Sequence, residues 1–371
     1  MRFLERERAT VAKLLPGLDE SLRALPLMKL EGPDSPGLQL FRDNGGLGLV
    51  APSDQRGRGA TALDALRVQR ALGSRTPSLA VATTWHHLSM AILVGLATPD
   101  DDQRSMLVES LAVGNQLVAF GFAEERPGAG ILSPAMTATL SPDGLLTSGR
   151  TRPCSLARSM DLLAVSVMAP NWEDDRREGI PVVALVPAGL DGMSVGGAGA
   201  GSEQVTLDNA LVEPDWLVRA SAPEGQPEVI LTAGFAWFQL LMTGSYLGAV
   251  SALVERVLLD NQVPEAEQVG LLVEAEGAMS AAESVARRID DGSPDESTLA
   301  ESLYVRYCVQ DTLARVVPRA VQLLGDLDSM ASTEVGHLAA CANGLELHPP
   351  ARDRMTAPLA AYLGDGPLTI A

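Results

Sequence analysis

The chain has 371 residues and a mass of 38.9 kDa, long enough for several subdomains around a large core. Its 28 basic and 47 acidic residues leave a formal charge of −19, which argues against unassisted binding to nucleic acid or to an anionic lipid surface. Hydrophobic residues make up 46% and aromatics only 4%, a balance that suits helix-rich packing better than an all-β fold. Cys154, Cys308 and Cys341 are odd in number, widely spaced and form no C-x-x-C, so they read as reduced structural thiols. The N-terminal M-R-F-L-E-R-E-R is charged and has no apolar h-region; no signal peptide is evident, and a cytoplasmic location is expected.

Residues 1–30 carry apolar positions at helical spacing, interrupted by Pro16-Gly17. A loop at 31–37 follows, then a short helix from Leu38 that Asn44-Gly45-Gly46 ends. Helices are predicted at 62–72 and 78–93, with a turn at 74–77 between them, and a last one at 100–112. From 116 to about 219 the hydrophobic period shortens from 3.6 to 2, and strands are predicted at 117–123, 135–140, 144–148, 161–167, 180–187 and 204–207. A charged hairpin loop is expected at 171–178. Helical periodicity then returns at 228–259, 263–290, 295–324 and 333–343. The pattern predicts an α+β fold, mostly α, in three domains. These are an N-terminal helical domain at 1–113, a middle antiparallel β-barrel or sandwich at 114–219, and a C-terminal four-helix bundle at 220–371. Residues 229–254 carry no charge, yet Gln239, several Gly and Ser, and the lack of basic flanks favour a buried bundle helix over a membrane span.

His86 and His87 are adjacent on a predicted helix and point about 100° apart, so they cannot chelate one metal together. His337 and His348 have no ligand spacing, and no metal site is expected.

Several stretches carry a family resemblance. Q-L-V-A-F-G-F-A-E-E-R-P-G-A-G at 116–130 is an apolar run that ends in two carboxylates and a Pro/Gly turn. It resembles the F-x-L-T-E-P-x-A-G-S-D signature of the acyl-CoA dehydrogenase family. The run G-R-T-R-P-C-S-L-A-R-S-M-D at 149–161 resembles that family's G-x-K-x-W-I-T-N…A-D segment. Residues 46–61, 201–218, 322–325 and 350–369 resemble further family words, so the likeness spans nearly the whole chain. The family's order of helices, strands and helices agrees with the pattern above. The resemblance implies FAD, an acyl-CoA or acyl-carrier-protein thioester as substrate, and assembly into a homo- or hetero-oligomer.

It also implies a site. Cofactor-binding positions fall on Phe122, Ala123, Glu124, Pro153, Cys154, Ser155, Gln322 and Gly325, and substrate-binding positions on Gly130, Ser133 and Phe238. Many of these residues depart from the family pattern. The threonine that hydrogen-bonds the flavin is replaced by Ala123, and W-I-T by Pro153, Cys154 and Ser155. The R-x-Q-F-G grip on the flavin diphosphate should fall at 255–260, where its Arg, Phe and Gly read Val257, Leu259 and Asp260. Losing an Arg–phosphate pair and gaining a carboxylate both disfavour a charged cofactor tail. The catalytic glutamate of Y-E-G-T reads Leu363, and its alternative position reads Phe238, leaving Asp365 as a shifted base. His87 matches a family position with a packing role. Arg150, Arg152 and Arg158 cluster in one loop that could meet a CoA phosphate. Three readings follow: a divergent flavoenzyme acting on an acyl thioester, a flavin-poor subunit of a heteromeric dehydrogenase, or a flavin-independent acyl-thioester-binding protein.

Overall fold

The computed structural model describes residues 2–96, 102–121, 136–170, 179–197, 203–219, 227–292, 294–325 and 332–370. Among these the chain is helical to Val113, forms strands between Val118 and Arg219, and is helical again from Pro227. The switch of hydrophobic period falls where the sequence places it. The fold is the mixed, mainly helical one expected.

The first helices are α1 (Glu5–Leu14), α2 (Leu18–Arg23), α3 (Leu27–Leu30) and α4 (Gly37–Asp43), followed by α5 (Ala62–Arg75), α6 (Pro77–Leu96) and α7 (Asp102–Val113). The later helices are α8 (Pro227–Leu259), α9 (Glu265–Asp290), α10 (Glu296–Leu323), α11 (Thr333–Ala342) and α12 (Arg352–Leu363). Thr61 caps α5 by accepting the Asp64 amide at 3.1 Å, and Asp295 caps α10 by accepting the Thr298 amide at 2.8 Å. Helix α9 opens on Glu265 and Glu267 and closes on Arg287 and Arg288, charges of the sign that opposes each end of the helix dipole. The predicted turn at 74–77 shrinks to a single residue, Thr76, between α5 and α6. Helix α12 has no counterpart in the sequence reading, because Pro358 inside it interrupts the helical signal.

The chain forms two compact units. The helical unit comprises Met1–Ser53, Arg58–Thr84 and Phe235–Arg352. Within it α1 packs on α5, and α5 and α10 both pack on α9. Helix α5 crosses α8 at glycines: a Cβ on Gly73 would lie 2.2 Å from the Ser245 carbonyl oxygen, and one on Gly248 would lie 2.4 Å from that of Arg70. Asp290, the last residue of α9, accepts the amides of Ala62 (2.6 Å) and Leu63 (3.1 Å) at the start of α5. A buried ion network surrounds Arg70, which donates to Glu7 (2.8 Å), Glu276 (2.6 Å) and Ser251 (3.0 Å).

The sheet unit comprises Asp54–Gly57, Trp85–Gly234 and Asp353–Ala371. Its strands are β1 (Val118–Gly121), β2 (Met136–Ser141), β3 (Gly144–Thr151), β4 (Leu162–Ala169), β5 (Ile180–Pro187), β6 (Met193–Gly196), β7 (Gln204–Val212) and β8 (Leu217–Arg219). They form one sheet in the order β6-β7-β3-β2-β4-β5-β8, with β1 also beside β4. Pairings are antiparallel except along one edge of β4, which takes β1 and then β2 in parallel. Strand β4 is therefore paired on both sides, which accounts for its nearly unbroken apolar run L-L-A-V-S-V-M-A. Met136, Leu145, Leu163, Val165, Val182 and Val205 belong to its core. Strands β6 and β8 are too short for a period of two to be seen in sequence. The expected hairpin loop at 171–178 lies outside the described residues.

The charge-free stretch lies in α8. Thr232–Leu259 is long and apolar enough to cross a membrane, with a mean hydropathy of 1.3, yet 94% of its most apolar window is buried within the chain. The helix meets its need for cover without a second chain.

Candidate functional site

Part of the site inferred from sequence falls on described residues of the sheet unit. Strand β1 is buried along its length and runs parallel to β4, with Val118 opposite Leu162 and Gly121 opposite Val165. Two side chains clamp its start. The Leu117 amide donates to Asp161 Oδ2 at 2.6 Å, and the Val118 amide donates to His86 Nδ1 at 3.1 Å. An Nδ1 that accepts a proton bond leaves the imidazole neutral, with its hydrogen on Nε2. His87, the next residue of α6, is fully buried; desolvation first, then proximity to His86, holds its pKa well below the ordinary value. The two rings lie 5.4 Å apart, centroid to centroid. This pair is a neutral, desolvated element at the start of the strand and not a charged one.

The segment between β3 and β4 carries Pro153, Cys154 and Ser155. Arg152–Pro153 is a cis peptide, and Leu156 adopts a left-handed φ of 69°. The Cys154 amide donates to the Glu203 carbonyl at 2.9 Å, and the Ser159 and Met160 amides both donate to the Leu156 carbonyl at 2.8 Å. The backbone of 152–160 is thus held at several points. The Cys154 side chain is buried, near the Phe120 carbonyl. Burial, and to a lesser degree the Glu203 charge, pushes its thiol up to about 12, so it remains a protonated, unreactive thiol at neutral pH. Ser155 is half-buried. Arg150 and Arg152 are exposed on either side of Thr151, and Arg158 lies 3.7 Å from Glu203.

Phe122, Ala123, Glu124, Gly130 and Ser133 lie outside the described residues. Asp365 ends α12. It adopts a left-handed φ of 63°, its amide donates to the Tyr362 carbonyl (3.2 Å), and the Gly366 amide donates to that of Ala361 (3.0 Å). This is the Schellman pattern of helix termination, with Asp365 at its left-handed position and its side chain exposed. Leu363, at the usual place of the dehydrogenase glutamate, is 76% exposed.

The remaining sequence-inferred residues fall in the helical unit. Phe238 is fully buried in α8 and stacked on Phe235, with centroids 5.6 Å apart. Gln322 accepts from Arg319 at 2.8 Å, and the Gly325 amide donates to the Gln322 carbonyl at 3.2 Å, so this pair closes α10. Counted back from Asp260, R-x-Q-F-G puts its arginine on Arg256 and not on the fully buried Val257; Arg256 donates to Glu334 at 2.8 Å, and Asp260 accepts the Gln262 amide at 2.8 Å. Arg306, which the sequence reading missed, is fully buried, and among the described residues its hydrogen bonds go to neutral oxygens. It donates to Gln239, Pro349 (2.9 Å), Leu345 (2.9 Å) and His348. Burial pulls its pKa down to about 10, against the opposing influence of Tyr307 and Tyr246. Its sequence signal is a lone cation inside the apolar helical phrase L-Y-V-R-Y-C-V.

No family model matches the chain. It is 38% identical to isobutylamine N-hydroxylase of Streptomyces viridifaciens over 381 aligned positions that cover 100% of both chains. Among solved structures, FMN-bound TdsC of Paenibacillus sp. A11-2, a dibenzothiophene monooxygenase, is similar with a TM-score of 0.77. It shows 19% identity, over 100% of this chain and 99% of that one. A glutaryl-coenzyme A dehydrogenase in complex with glutaryl-CoA is similar with a TM-score of 0.74 at 16% identity, over 99% of this chain and 95% of the other.

Proposed function

This chain belongs to the acyl-CoA dehydrogenase-fold flavoenzymes, and from that membership we propose that it is a flavin-dependent N-hydroxylase of small primary aliphatic amines. An oxidoreductase that uses flavin follows from the family itself. The finer reading rests chiefly on the end-to-end 38% identity to an amine N-hydroxylase. It is supported by the two positions where a thioester dehydrogenase keeps its base, which here are Leu363 and Phe238. Neither side chain can take a proton from a carbon acid. Oxygen transfer to an amine needs no such base: R–NH2, O2, two electrons and two protons give R–NHOH and water.

The residues present fit a flavin. Ser155 offers a hydroxyl, Arg150 and Arg152 offer guanidinium groups beside it, and the 152–160 backbone is fixed before any ligand arrives. This set suits a planar ring that carries an anionic tail. When bound and reduced, the flavin supplies the electrons and activates O2. With Arg256, at the place of the motif's arginine, engaged by Glu334 and with Asp260 where a glycine would meet a diphosphate, FAD is held weakly, and a flavin is gained and released. Assembly into a dimer belongs to this reading. Val269 and Val273, one turn apart and exposed on α9, are the apolar surface that supports it.

The test supplies the purified chain with isobutylamine, O2 and flavin kept reduced by a flavin reductase, and follows the hydroxylamine by mass spectrometry. Hydroxylamine that depends on both the chain and O2 is the expected result. Enoyl product from an acyl-CoA panel, with no hydroxylamine, would overturn it in favour of a thioester oxidation. The protein is expected to purify with little flavin, visible as weak absorbance near the flavin maxima.

A further inference from the structure

Glu31, at the end of α3, and His337 and Cys341, on α11, meet within the helical unit although 306 residues separate Glu31 from His337. His337 Nε2 lies 2.9 Å from Glu31 Oε2 and 3.3 Å from Cys341 Sγ, and all three ligand-type atoms lie within 4.8 Å of one another. The spacing of four residues puts His337 and Cys341 on one face of α11. The same ring nitrogen faces both the thiol and the carboxylate. A nucleophile–base–acid relay would use the two opposite nitrogens, one toward each partner. Here three donors instead converge on one point, as ligands do around a cation.

We propose that Glu31, His337 and Cys341 form a divalent-cation site of zinc type, independent of the flavin reading above. A tetrahedral zinc with bonds of about 2.0–2.3 Å holds its ligand atoms roughly 3.3–3.8 Å apart. Of the two separations to His337, 2.9 Å lies a few tenths of an ångström below that range and 3.3 Å lies at its short end, so small side-chain rotations admit the ion. A carboxylate and a thiolate neutralise a doubly charged ion, and imidazole completes a donor set of the kind zinc prefers.

The carboxylate is also held the way metal-binding carboxylates are. Glu31 has a side-chain exposure of 0%; Thr76 Oγ1 donates to its Oε1 at 2.6 Å, and the Ser78 hydroxyl donates to its Oε2 at 2.6 Å. The Ser78 amide lies 3.3 Å from each carboxylate oxygen. His337, with 27% side-chain exposure, and half-buried Cys341 leave one side of the cluster open to solvent. That side is the entry path and the fourth coordination position. Binding would release the thiol proton to solvent and tie α11 to the end of α3.

The test uses cobalt(II), which occupies zinc sites and makes a thiolate bond visible. The full chain is stripped with a chelator and titrated with cobalt alone. The expected result is a thiolate-to-cobalt band and tetrahedral visible absorption that saturate at one equivalent per chain. Both should disappear on adding equimolar zinc and be unchanged in Cys308→Ser. Cys341→Ser, whose fold is checked by far-ultraviolet circular dichroism, should lose the thiolate band. It should also lose the rise in Tm that zinc gives the unaltered chain. No band in the unaltered chain overturns the proposal, as does a band that survives in Cys341→Ser.

Discussion

Arg70 and Arg306 are both fully buried in the helical unit, yet their hydrogen bonds are satisfied in opposite ways. Arg70 sits among carboxylates: Glu7 and Glu276 take its two terminal nitrogens, while Arg6 bridges Glu276 (3.1 Å) and Glu283 (3.6 Å). Arg67 and Arg287 complete the network on Glu283. Among the described residues no carboxylate pairs with Arg306; Gln239 and three backbone carbonyls receive its protons. The first arrangement joins α1, α5 and α9 by paired charges that can be removed in pairs. The second spends a whole cation on the path of one segment, 345–350, which leads into α12. Tyr307 adds a bond to the Pro350 carbonyl at 3.2 Å, and Gln239 one to that of Pro349 at 3.2 Å. A buried ion network is replaceable in principle by apolar residues, whereas a cation bonded to carbonyls leaves stranded acceptors when it goes.

That difference is most strongly exposed by truncation. Arg306→Met should destabilise the chain by about 3–5 kcal/mol in urea denaturation, with no single second substitution restoring it. Arg70→Met should cost a similar amount, but Arg70→Met with Glu7→Gln should recover part of the loss, with a coupling of about 1–3 kcal/mol. An Arg306→Met chain within about 1 kcal/mol of the original would refute the role given to the carbonyl cage.

Acid should separate the two regions next. His348 touches Tyr246 through Nε2 at 2.8 Å, and burial, then the Arg306 charge, pulls its pKa down to about 4. The unfolded chain binds a proton between about pH 6.5 and 4 that the folded chain refuses, so stability falls as pH falls through that window. The loss is about 2–3 kcal/mol after allowing for the partial exposure of the residue, and His348→Gln should flatten it. Glu283 behaves differently. Burial raises its pKa, but hydrogen bonds from Arg67 and Arg287 and the charges of Arg67 and Arg6 outweigh burial and leave it lowered. Its stabilisation is present above the ordinary glutamate pKa and is lost as pH falls below it, so Glu283→Gln should flatten only the more acidic limb. The smallest effect belongs to Arg352, an exposed partner of Asp311 at 2.7 Å and 5.9 Å from the centre of the Tyr307 ring. Arg352→Ala should leave the Tm within experimental error, because a solvated pair contributes little.

Local signals carried the fold a long way. The strands at 144–151, 162–169 and 180–187 are legible because alternating or fully apolar runs end at turn residues. Asp161 was legible as the start of β4 but not as the acceptor of the Leu117 amide, since the parallel pairing of β1 with β4 is what brings it there. The His86 bond to β1 was hidden for the same reason. Arg70 and Arg306 stand out in sequence as cations within apolar helices, but the identity of their partners depends on how the helices cross. The cluster at Glu31 was invisible because only half of it, the His337–Cys341 spacing, is local. Sequence also placed the charge-free stretch in a buried bundle helix, and 94% of its most apolar window is buried within the chain.

The glycine contact between α5 and α8 has a consequence for how this protein can change. With backbone touching backbone at Gly73 and Gly248, even a methyl group at either position must push two long helices apart. Helix α8 is roughly 50 Å long, so a small rotation about that point is magnified along its N-terminal half, which carries Phe238. The crossing is a fulcrum. Random variation should accept alanine at Gly270 or Gly277, where a Cβ meets nothing within 4 Å, far sooner than at these two positions. A directed search for altered function therefore has a lever to work on: substitutions beside the fulcrum, at Ser245 or Ala249, would re-aim distant side chains without touching them.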